Sequence, residues 1–189
     1  MIIACDPGMS GGFAFLTLSQ KTFGITDAEF IPFPAIKKEI DFAGIKRIYD
    51  KISAIEIEGS YAAIEKVSAM PGQGVSSMFK FGRAYGIAET ILSSSGLMLN
   101  QVIPRMWQKE MFEGIPEILK PIKPKQKKAS RDTKKMSMLT ASRLFPNLHI
   151  VKDWQSDALL LGEYIRRRLT NQLIRNINSP ANKDLSAEL

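Results

Sequence analysis

Residues 1–18, MIIACDPGMSGGFAFLTL, decide the fold of this chain. The apolar run over 1–5 stops at Asp6, and the proline and glycine that follow are turn formers. The apolar pattern resumes over 11–18, which predicts a second strand beside the first. The stretch therefore predicts two neighbouring strands joined by a tight turn, with a carboxylate where the first strand ends.

The remaining elements follow from hydrophobic spacing and turn residues. Further strands are expected over 22–31, 61–67 and 97–103. Helices are expected after an N-cap at Asp41, from Ser76 or Ser77 to Ser95 with Gly96 ending it, from Pro104 to Phe112, over 130–145, and from Asp153 to about Leu169. A run of strands followed by strand–helix alternation predicts an α/β fold: a mixed five-stranded sheet flanked by helices.

Composition narrows the class of protein. The 189 residues, 44% hydrophobic and 24% charged, are typical of one globular domain, which we expect over 1–170, followed by a disordered polar tail over 171–189. No apolar run approaches the ~18 residues of a membrane span. The first residues do not resemble a secretion signal. We therefore expect a cytoplasmic protein with no membrane partner.

The single cysteine and single histidine limit the chemistry. One cysteine excludes an internal disulfide, and one of each cannot build a Cys/His zinc site. Any bound metal would be held by oxygen atoms, which favours Mg²⁺ or Mn²⁺.

Acidic residues lie at the ends of two predicted strands and at the start of a predicted helix. Asp6 ends the first strand, and Glu65 lies near the end of the fourth. Asp157 leads into an apolar helical run, one turn after Asp153. Ligands gather at the C-terminal ends of strands in a sheet flanked by helices. Converging carboxylates need counter-cations, and a pair of Mg²⁺ ions would also hold a scissile phosphate.

Each acid also has a structural interpretation. Asp6 precedes a proline and a glycine and could only shape a turn. Glu65 could point outward into a salt bridge, and Asp157 could interact with a helix dipole. Their order along the chain, each at the mouth of its element, favours a shared site.

Positive charge is concentrated in one segment. The net charge of the chain is +7, yet residues 120–152 hold ten cations and one anion, Asp132. The cations are Lys120, Lys123, Lys125, Lys127, Lys128, Arg131, Lys134, Lys135, Arg143 and Lys152. Such clustering indicates a polyanion partner, with a solvated lysine-rich loop as the alternative.

Three motifs resemble those of the RuvC-type Holliday-junction resolvases: DPG at 6–8, IEKV at 64–67 and DALLL at 157–161. The block MPGQGVSS at 70–77, with aromatic residues behind it, narrows the resemblance to the phage and bacterial branch related to plant chloroplast resolvases. Trp107 and Lys109 also resemble residues that are typical of that branch. The resemblance covers about residues 1–164.

The resemblance implies a ribonuclease H-like fold, a homodimer and Mg²⁺-dependent nicking of two opposed strands of a four-way DNA junction. It implies two Mg²⁺ ions in each site, with Mn²⁺ as a substitute, and no small-molecule cofactor. Asp6, Glu65 and Asp157 match the metal ligands of the family. The source would be bacterial or phage.

One departure from the family concerns the fourth acid. Many relatives place it at the position that Trp154 occupies here. An indole cannot ligate Mg²⁺, so we expect Asp153 to take that role. Lys152 beside it is expected to contact the scissile phosphate.

The expected DNA contacts come from the block after Glu65 and from the basic segment. Aromatic residues of the block could stack at an opened junction, or instead pack in a helix core or dimer seam. The expected DNA-binding residues are Gln73, Ser76, Ser77, Phe79, Arg83, Lys109, Lys125, Lys127, Lys128, Arg131, Lys134 and Lys135.

Other functions share parts of this pattern. Actin-like and sugar-kinase ATPases also begin with an acid and a glycine turn, but the chain lacks a second phosphate loop. A ribonuclease H-like nuclease acting on other branched DNA or on RNA hybrids remains open, because catalytic acids do not encode substrate shape. A non-catalytic junction-binding module is the third alternative.

Overall fold

The computed structural model describes residues 1–68, 74–122 and 128–177. Twelve elements lie in these ranges. In chain order they are β1 Ile2–Asp6, β2 Gly12–Leu18, β3 Ile25–Pro32, β4 Ala35–Ile36, β5 Glu39–Ile40, α1 Phe42–Ser53, β6 Tyr61–Glu65, α2 Val75–Ser94, β7 Met98–Val102, α3 Pro104–Met111, α4 Thr133–Leu144 and α5 Asp153–Ile177.

Five strands form one mixed sheet in the order β3-β2-β1-β6-β7. The first three pair antiparallel, whereas β6 and β7 join in parallel. The mixed five-stranded sheet predicted from the sequence is confirmed. Because β1 is central, the end of β1 lies well inside the molecule.

Helices cover both faces of the sheet. Side chains of β1 alternate between the faces, as the period of a strand requires: Ile2 and Ala4 pack with α3, α4 and α5, whereas Ile3 and Cys5 pack with α1 and α2. The long helix α5 lies close against the sheet at Gly162, where an added Cβ would stand 2.1 Å from Leu16 Cδ1. This close approach packs the middle of α5 tightly onto β1 and β2.

Several predicted boundaries are confirmed. Asp41 caps α1 by accepting a hydrogen bond from the amide of Ala43, and Pro104 opens α3. Gly96 follows α2 with a φ of +80°, a conformation that favours glycine. Local turn and cap chemistry is readable in sequence because it depends on few neighbours.

Other boundaries differ from the prediction. Helix α2 begins at Val75 after Gly74, so neither Ser76 nor Ser77 is its cap. Helix α4 begins at Thr133 instead of residue 130, because the Asp132 side chain accepts a hydrogen bond from the Lys135 amide. A helix begins after the residue whose side chain bonds a free amide of the first turn. Here that residue is Asp132, and not the serine at position 130.

Two further differences concern elements that the sequence pattern does not reveal. Helix α5 continues to Ile177, eight residues past the predicted end, and residues 178–189 lie outside the described part of the chain. The two-residue strands β4 and β5 form a small hairpin of their own. No helix in the described ranges is long and apolar enough to cross a membrane.

Candidate active site

The strand pairing brings two of the predicted acids to one edge. Strands β1 and β6 are parallel neighbours, with Cys5 opposite Ile64, so Asp6 and Glu65 end adjacent strands on the same side. The first two turns of α5, the helix that packs on one face of the sheet, add Asp153 and Asp157. Elements that are far apart in sequence therefore bring four carboxylates to the same edge of the sheet.

A cavity of about 660 Å³ opens at this edge. Its floor includes Asp6 and Asp157, and Asp153 lies on its wall. The turn after β1 contributes its backbone, held by a hydrogen bond of 3.1 Å from the Gly11 amide to the Gly8 carbonyl. Glu65 does not line this cavity and lies behind it, towards α3.

Burial and mutual repulsion both act on the two floor acids. The pKa of Asp6 is raised well above its usual value by burial first, and then by the charges of Asp157, Glu65 and Asp153. Burial is likewise the main cause that raises the pKa of Asp157 to about 7. In the metal-free protein both carboxyls therefore keep their protons to a higher pH than exposed acids do.

A buried serine faces Asp157. The Ser137 hydroxyl, on α4, lies beside this carboxylate and lowers its pKa, opposing the effect of burial. Among the described residues the Ser137 Oγ is buried without a formed hydrogen bond. A buried polar atom without a partner is costly, and such atoms are found where a ligand or ion completes the set.

Glu65 is oriented by an indole. Trp107 Nε1 of α3 donates a hydrogen bond of 2.9 Å to Glu65 Oε1. Burial raises the pKa of Glu65, and this hydrogen bond lowers it. Trp107 is itself 1% exposed and packs edge-on against Phe112. The motif resemblance in the sequence included Trp107 without a role, and its contact with Glu65 follows from the structure.

Asp153 has a different environment from the other acids. The ammonium group of Lys134, on α4, contacts its carboxylate directly. This hydrogen bond is the main cause that lowers the pKa of Asp153. Lys134 lines the cavity, and its own pKa is raised by the same contact. The sequence grouped Lys134 with the basic segment expected to bind DNA, whereas helix α4 brings it among the acids.

Trp154 stands where relatives are expected to carry an acid. It is 8% exposed, and its ring meets Phe30 edge-on with the centroids 6.1 Å apart. Gly12 passes so closely that an added Cβ would lie 2.7 Å from the Trp154 ring. Position 154 therefore packs α5 onto β2 and β3, and Asp153 is the first-turn acid that faces the cavity.

The donor set suits a hard divalent cation. All of the candidate ligands are carboxylates, the type that Mg²⁺ prefers. In the described ranges no three acidic, histidine or cysteine side chains already stand close enough to share an ion. Lys134 supplies a positive charge at the cluster instead, on Asp153. The raised pKa values of Asp6 and Asp157 mean that their ionised forms are poorly stabilised by the protein alone, which fits a cation at this place.

The predicted contacts on α2 lie at different distances from the acids. Ser77 lines the cavity, and Ser76 is exposed beside it. Phe79 is 66% exposed, with the Arg83 guanidinium 5.9 Å from its ring centroid. Arg83 also stands 4.0 Å from the Glu39 carboxylate. The first turns of α2 thus extend one wall of the cavity outward.

The basic residues divide between two surfaces. Lys109 and Arg131 line a second groove of about 610 Å³ between α3 and α4, where Arg131 pairs with Glu117. Lys135 is exposed on α4, and Lys128 is exposed before it. Lys152 is exposed before α5 and does not line the cavity of the acids. Gln73, Lys125 and Lys127 lie outside the described residues.

Comparison with solved structures identifies the fold. Over 88% of this chain and 95% of the other, the fold matches RuvC of T. thermophilus in complex with a Holliday junction substrate, with a TM-score of 0.56 and 13% identity. It also matches the yeast mitochondrial Holliday junction resolvase Ydc2 over 93% of this chain and 82% of the other, with a TM-score of 0.50 and 10% identity. No family model and no curated protein sequence matches the chain.

The chain therefore has a ribonuclease H-like fold of the kind seen in the RuvC-type resolvases, as the sequence motifs predicted. At these identities the likeness shows the fold alone. The function has to be argued from the site.

Proposed function

We propose that this protein is a structure-selective DNA endonuclease that resolves four-way junctions by paired, Mg²⁺-dependent nicks. The observation that carries the proposal is the convergence of Asp6, Glu65 and Asp157 from β1, β6 and α5 at one edge of a resolvase-like sheet. A solved neighbour of this fold holds a Holliday junction substrate. The motif block at 70–77 supports the phage and bacterial branch.

Asp6 and Asp157 would hold the metal on the cavity floor, and Glu65, aimed by Trp107, would complete the set. Asp153 would join after releasing Lys134. When bound, two Mg²⁺ ions would neutralise the scissile phosphate and lower the pKa of an attacking water. Lys134, freed from Asp153, lies at the cavity wall in a position to meet a phosphate oxygen.

Several features explain why a phosphate would enter an acidic cavity. Lys38, Lys80 and Lys134 all line its walls, so the acids on the floor are surrounded by cations. A DNA strand would be attracted by this rim and by the basic segment over 120–152. The floor would then become attractive to the phosphate only with divalent cations present, which makes cleavage metal-dependent.

The test is a synthetic immobile four-way junction incubated with and without Mg²⁺, beside a matched duplex and a matched fork. We expect symmetrical nicks in two opposed strands of the junction and little cutting of the other substrates. Equal cutting of fork, duplex or RNA hybrid would instead indicate a general ribonuclease H-like nuclease. Binding without cleavage at any Mg²⁺ or Mn²⁺ concentration would indicate a non-catalytic module.

Asp6→Asn is the matched variant for this test. It keeps the size of the side chain and removes one charged ligand. We expect junction binding to be retained and cleavage to fall roughly 10³-fold, the effect of ~4 kcal/mol of lost transition-state stabilisation. Near-normal cleavage by this variant at saturating Mg²⁺ would remove Asp6 from the site.

A further inference from the structure

The small hairpin β4–β5 carries an unusual turn. Ile36 pairs with Glu39, so the loop between the strands has two residues, Lys37 and Lys38. Both have positive φ, +50° and +64°. A two-residue loop with both residues in this region is a type I′ turn, which strongly favours Asn-Gly. Lysine at both positions contradicts local preference, and such backbone strain is concentrated at functional sites.

The position of the turn relates it to the acids. Lys38 lines the same cavity as Asp6 and Asp157, although it follows β3 in the chain and is far from both acids in sequence. Lys37 and Lys38 are both exposed. In the part of the chain that the structure describes, neither ammonium group has a salt-bridge partner. Both ammonium groups are therefore available to an anionic ligand.

The hairpin is held in place by its neighbours. Glu39, the residue after the turn, accepts from Lys80 Nζ at 3.0 Å and stands 4.0 Å from Arg83, both on α2. At its base the Asp41 amide donates to the Pro34 carbonyl at 3.1 Å. Glu39 thus neutralises cations of α2 and anchors the hairpin, while the turn lysines stay free. The hairpin, with Lys38 at the mouth of the cavity and Lys37 next to it in the turn, is therefore held in place before any ligand arrives.

We infer that the Lys37–Lys38 turn, the tip of the hairpin, binds the DNA strand being cut. The contact would be to one or two phosphates beside the scissile one. This inference rests on the proposed nuclease function and names a binding element for it. A strand whose phosphate reaches the cavity floor must pass its rim, where Lys38 stands. Backbone phosphates carry no sequence information, so the tip would position the strand without selecting its bases.

The test replaces the turn with Lys37→Asn and Lys38→Gly together. Asn-Gly is the preferred type I′ pair, so the hairpin keeps its shape while losing both charges. We expect affinity for an immobile four-way junction, measured in EDTA, to fall roughly ten-fold near physiological salt. The slope of log affinity against log salt should flatten by up to about two units. The variant should melt at or above the wild-type temperature.

Lys21→Asn is the matched control. Lys21 is exposed in the β2–β3 connection, at the opposite end of the sheet from Asp6. The Lys21→Asn substitution removes a surface lysine that is remote from the cavity. It should leave affinity for the junction within about two-fold of wild type. If Lys21→Asn weakens binding as much per charge as the turn variant, the effect is general and the inference is wrong.

A second measurement locates the contact on the DNA. Single methylphosphonates, which are uncharged, replace the phosphates around the mapped cut site one at a time. Wild-type protein should lose affinity at one or two positions on the cut strand, and the turn variant should lose nothing further there. Independent losses in the two backgrounds would overturn the inference, as would unchanged affinity or a lower melting temperature of the variant.

The outcomes also separate this inference from the proposed function. If wild-type protein cuts the junction and the turn variant binds it equally well, only the tip is wrong. If wild-type protein neither binds nor cuts the junction, the proposed function fails and the tip fails with it.

Discussion

Asp153 and Asp157 lie one helical turn apart on α5, yet their charges are stabilised differently. Asp153 pairs with Lys134, which holds its pKa below the usual value. Asp157 is more buried and faces Asp6, and burial raises its pKa to about 7. On sequence spacing alone the two carboxylates would repel each other equally. Helix α4 removes that symmetry by placing its lysine on only one of them.

This difference predicts how pH acts on the metal-free protein. The folded pKa of Asp157 exceeds its usual value of 3.8, so the folded state holds the proton more tightly than the unfolded state. The resulting stability is present below about pH 4 and is lost as pH rises towards 7, by at most ~4 kcal/mol. In EDTA we therefore expect the melting temperature to fall over this range. Mg²⁺ should restore it.

The paired variants check the cause. Asp157→Asn should melt higher than wild type at pH 7 in EDTA, because it removes the buried charge. Asp153→Asn loses the Lys134 contact and should not melt higher. Thermal unfolding of the two variants between pH 4 and 8 measures this. A stabilised Asp153→Asn with an unchanged Asp157→Asn would reverse the assignment of the two acids.

Trp107 offers a test of how Glu65 is positioned. Trp107→Phe keeps an aromatic ring and removes the donor to Glu65. A hydrogen bond to a charged group contributes ~1.5–3 kcal/mol, so we expect cleavage to slow by about ten- to a hundred-fold with unchanged junction affinity. The hydrogen bond from Trp107 lowers the pKa of Glu65, so its loss should raise that pKa. The acidic limb of the pH–rate profile should therefore shift to higher pH.

The control for Trp107 is Phe112→Leu. It disturbs the edge-on packing against Trp107 and leaves the indole donor in place. It should lower the melting temperature without moving the pH profile. A shift of the profile in both variants would mean that packing, and not the hydrogen bond, sets the pKa of Glu65.

At the scale of elements, the first part of the basic segment, residues 120–135, is itself divided in two. Its later residues form the start of α4, where Lys134 joins the acids and Asp132 serves as the helix cap. Arg131 pairs with Glu117 across the second groove. The charge excess of the segment is therefore not one uniform patch, and its contributions to catalysis and to DNA affinity should be separable.

Salt dependence measures the part that tracks phosphates. We expect Lys125, Lys127 and Lys128 changed together to Ala to flatten the salt slope of junction binding by up to about three units, since each neutralised duplex phosphate contributes about −0.9. Lys21, Lys46 and Lys51 changed to Ala remove the same charge elsewhere and should leave the slope nearly unchanged. Equal slopes in the two triple variants would mean that the segment is only solvated.

At the scale of the whole molecule, helix α2 presents apolar side chains to solvent. Val75 is 87% exposed and Phe79 is 66% exposed, beside the wall of the cavity. The buried face of the same helix carries Ala84, Ala88 and Ile91 against the sheet. Paired nicks in a four-way junction need two active sites, and a two-fold dimer supplies them by symmetry. We propose the start of α2 as the dimer seam.

Light scattering tests this assembly. We expect a dimer in solution and on the junction, with Phe79→Glu shifting the free protein towards monomer. Phe42→Glu is the control, because Phe42 is similarly exposed, at 63%, but stands at the start of α1. A monomer both free and on the junction would refute the dimer, and dissociation by Phe42→Glu alone would move the seam to α1.

The sequence alone predicted the succession of the main strands along the chain, several helix boundaries and the candidate acids. Strands are short apolar runs broken by turns, and Asp41, Pro104 and Gly96 act through near neighbours, so local pattern suffices for them. Asp6 and Glu65 could be placed together because the ends of adjacent parallel strands must share an edge. These features depend on the period of the chain and on few contacts.

Only the tertiary structure decided which partner each acid has. Lys134 reaches Asp153 because α4 packs against α5, and Trp107 reaches Glu65 because α3 closes over the sheet. The hairpin that carries Lys37 and Lys38 contradicts local turn preference, so no sequence pattern predicts it. Its place at the cavity depends on Glu39 contacting α2, an interaction across forty-one residues. Such long-range pairings are set by packing, which residue spacing does not encode.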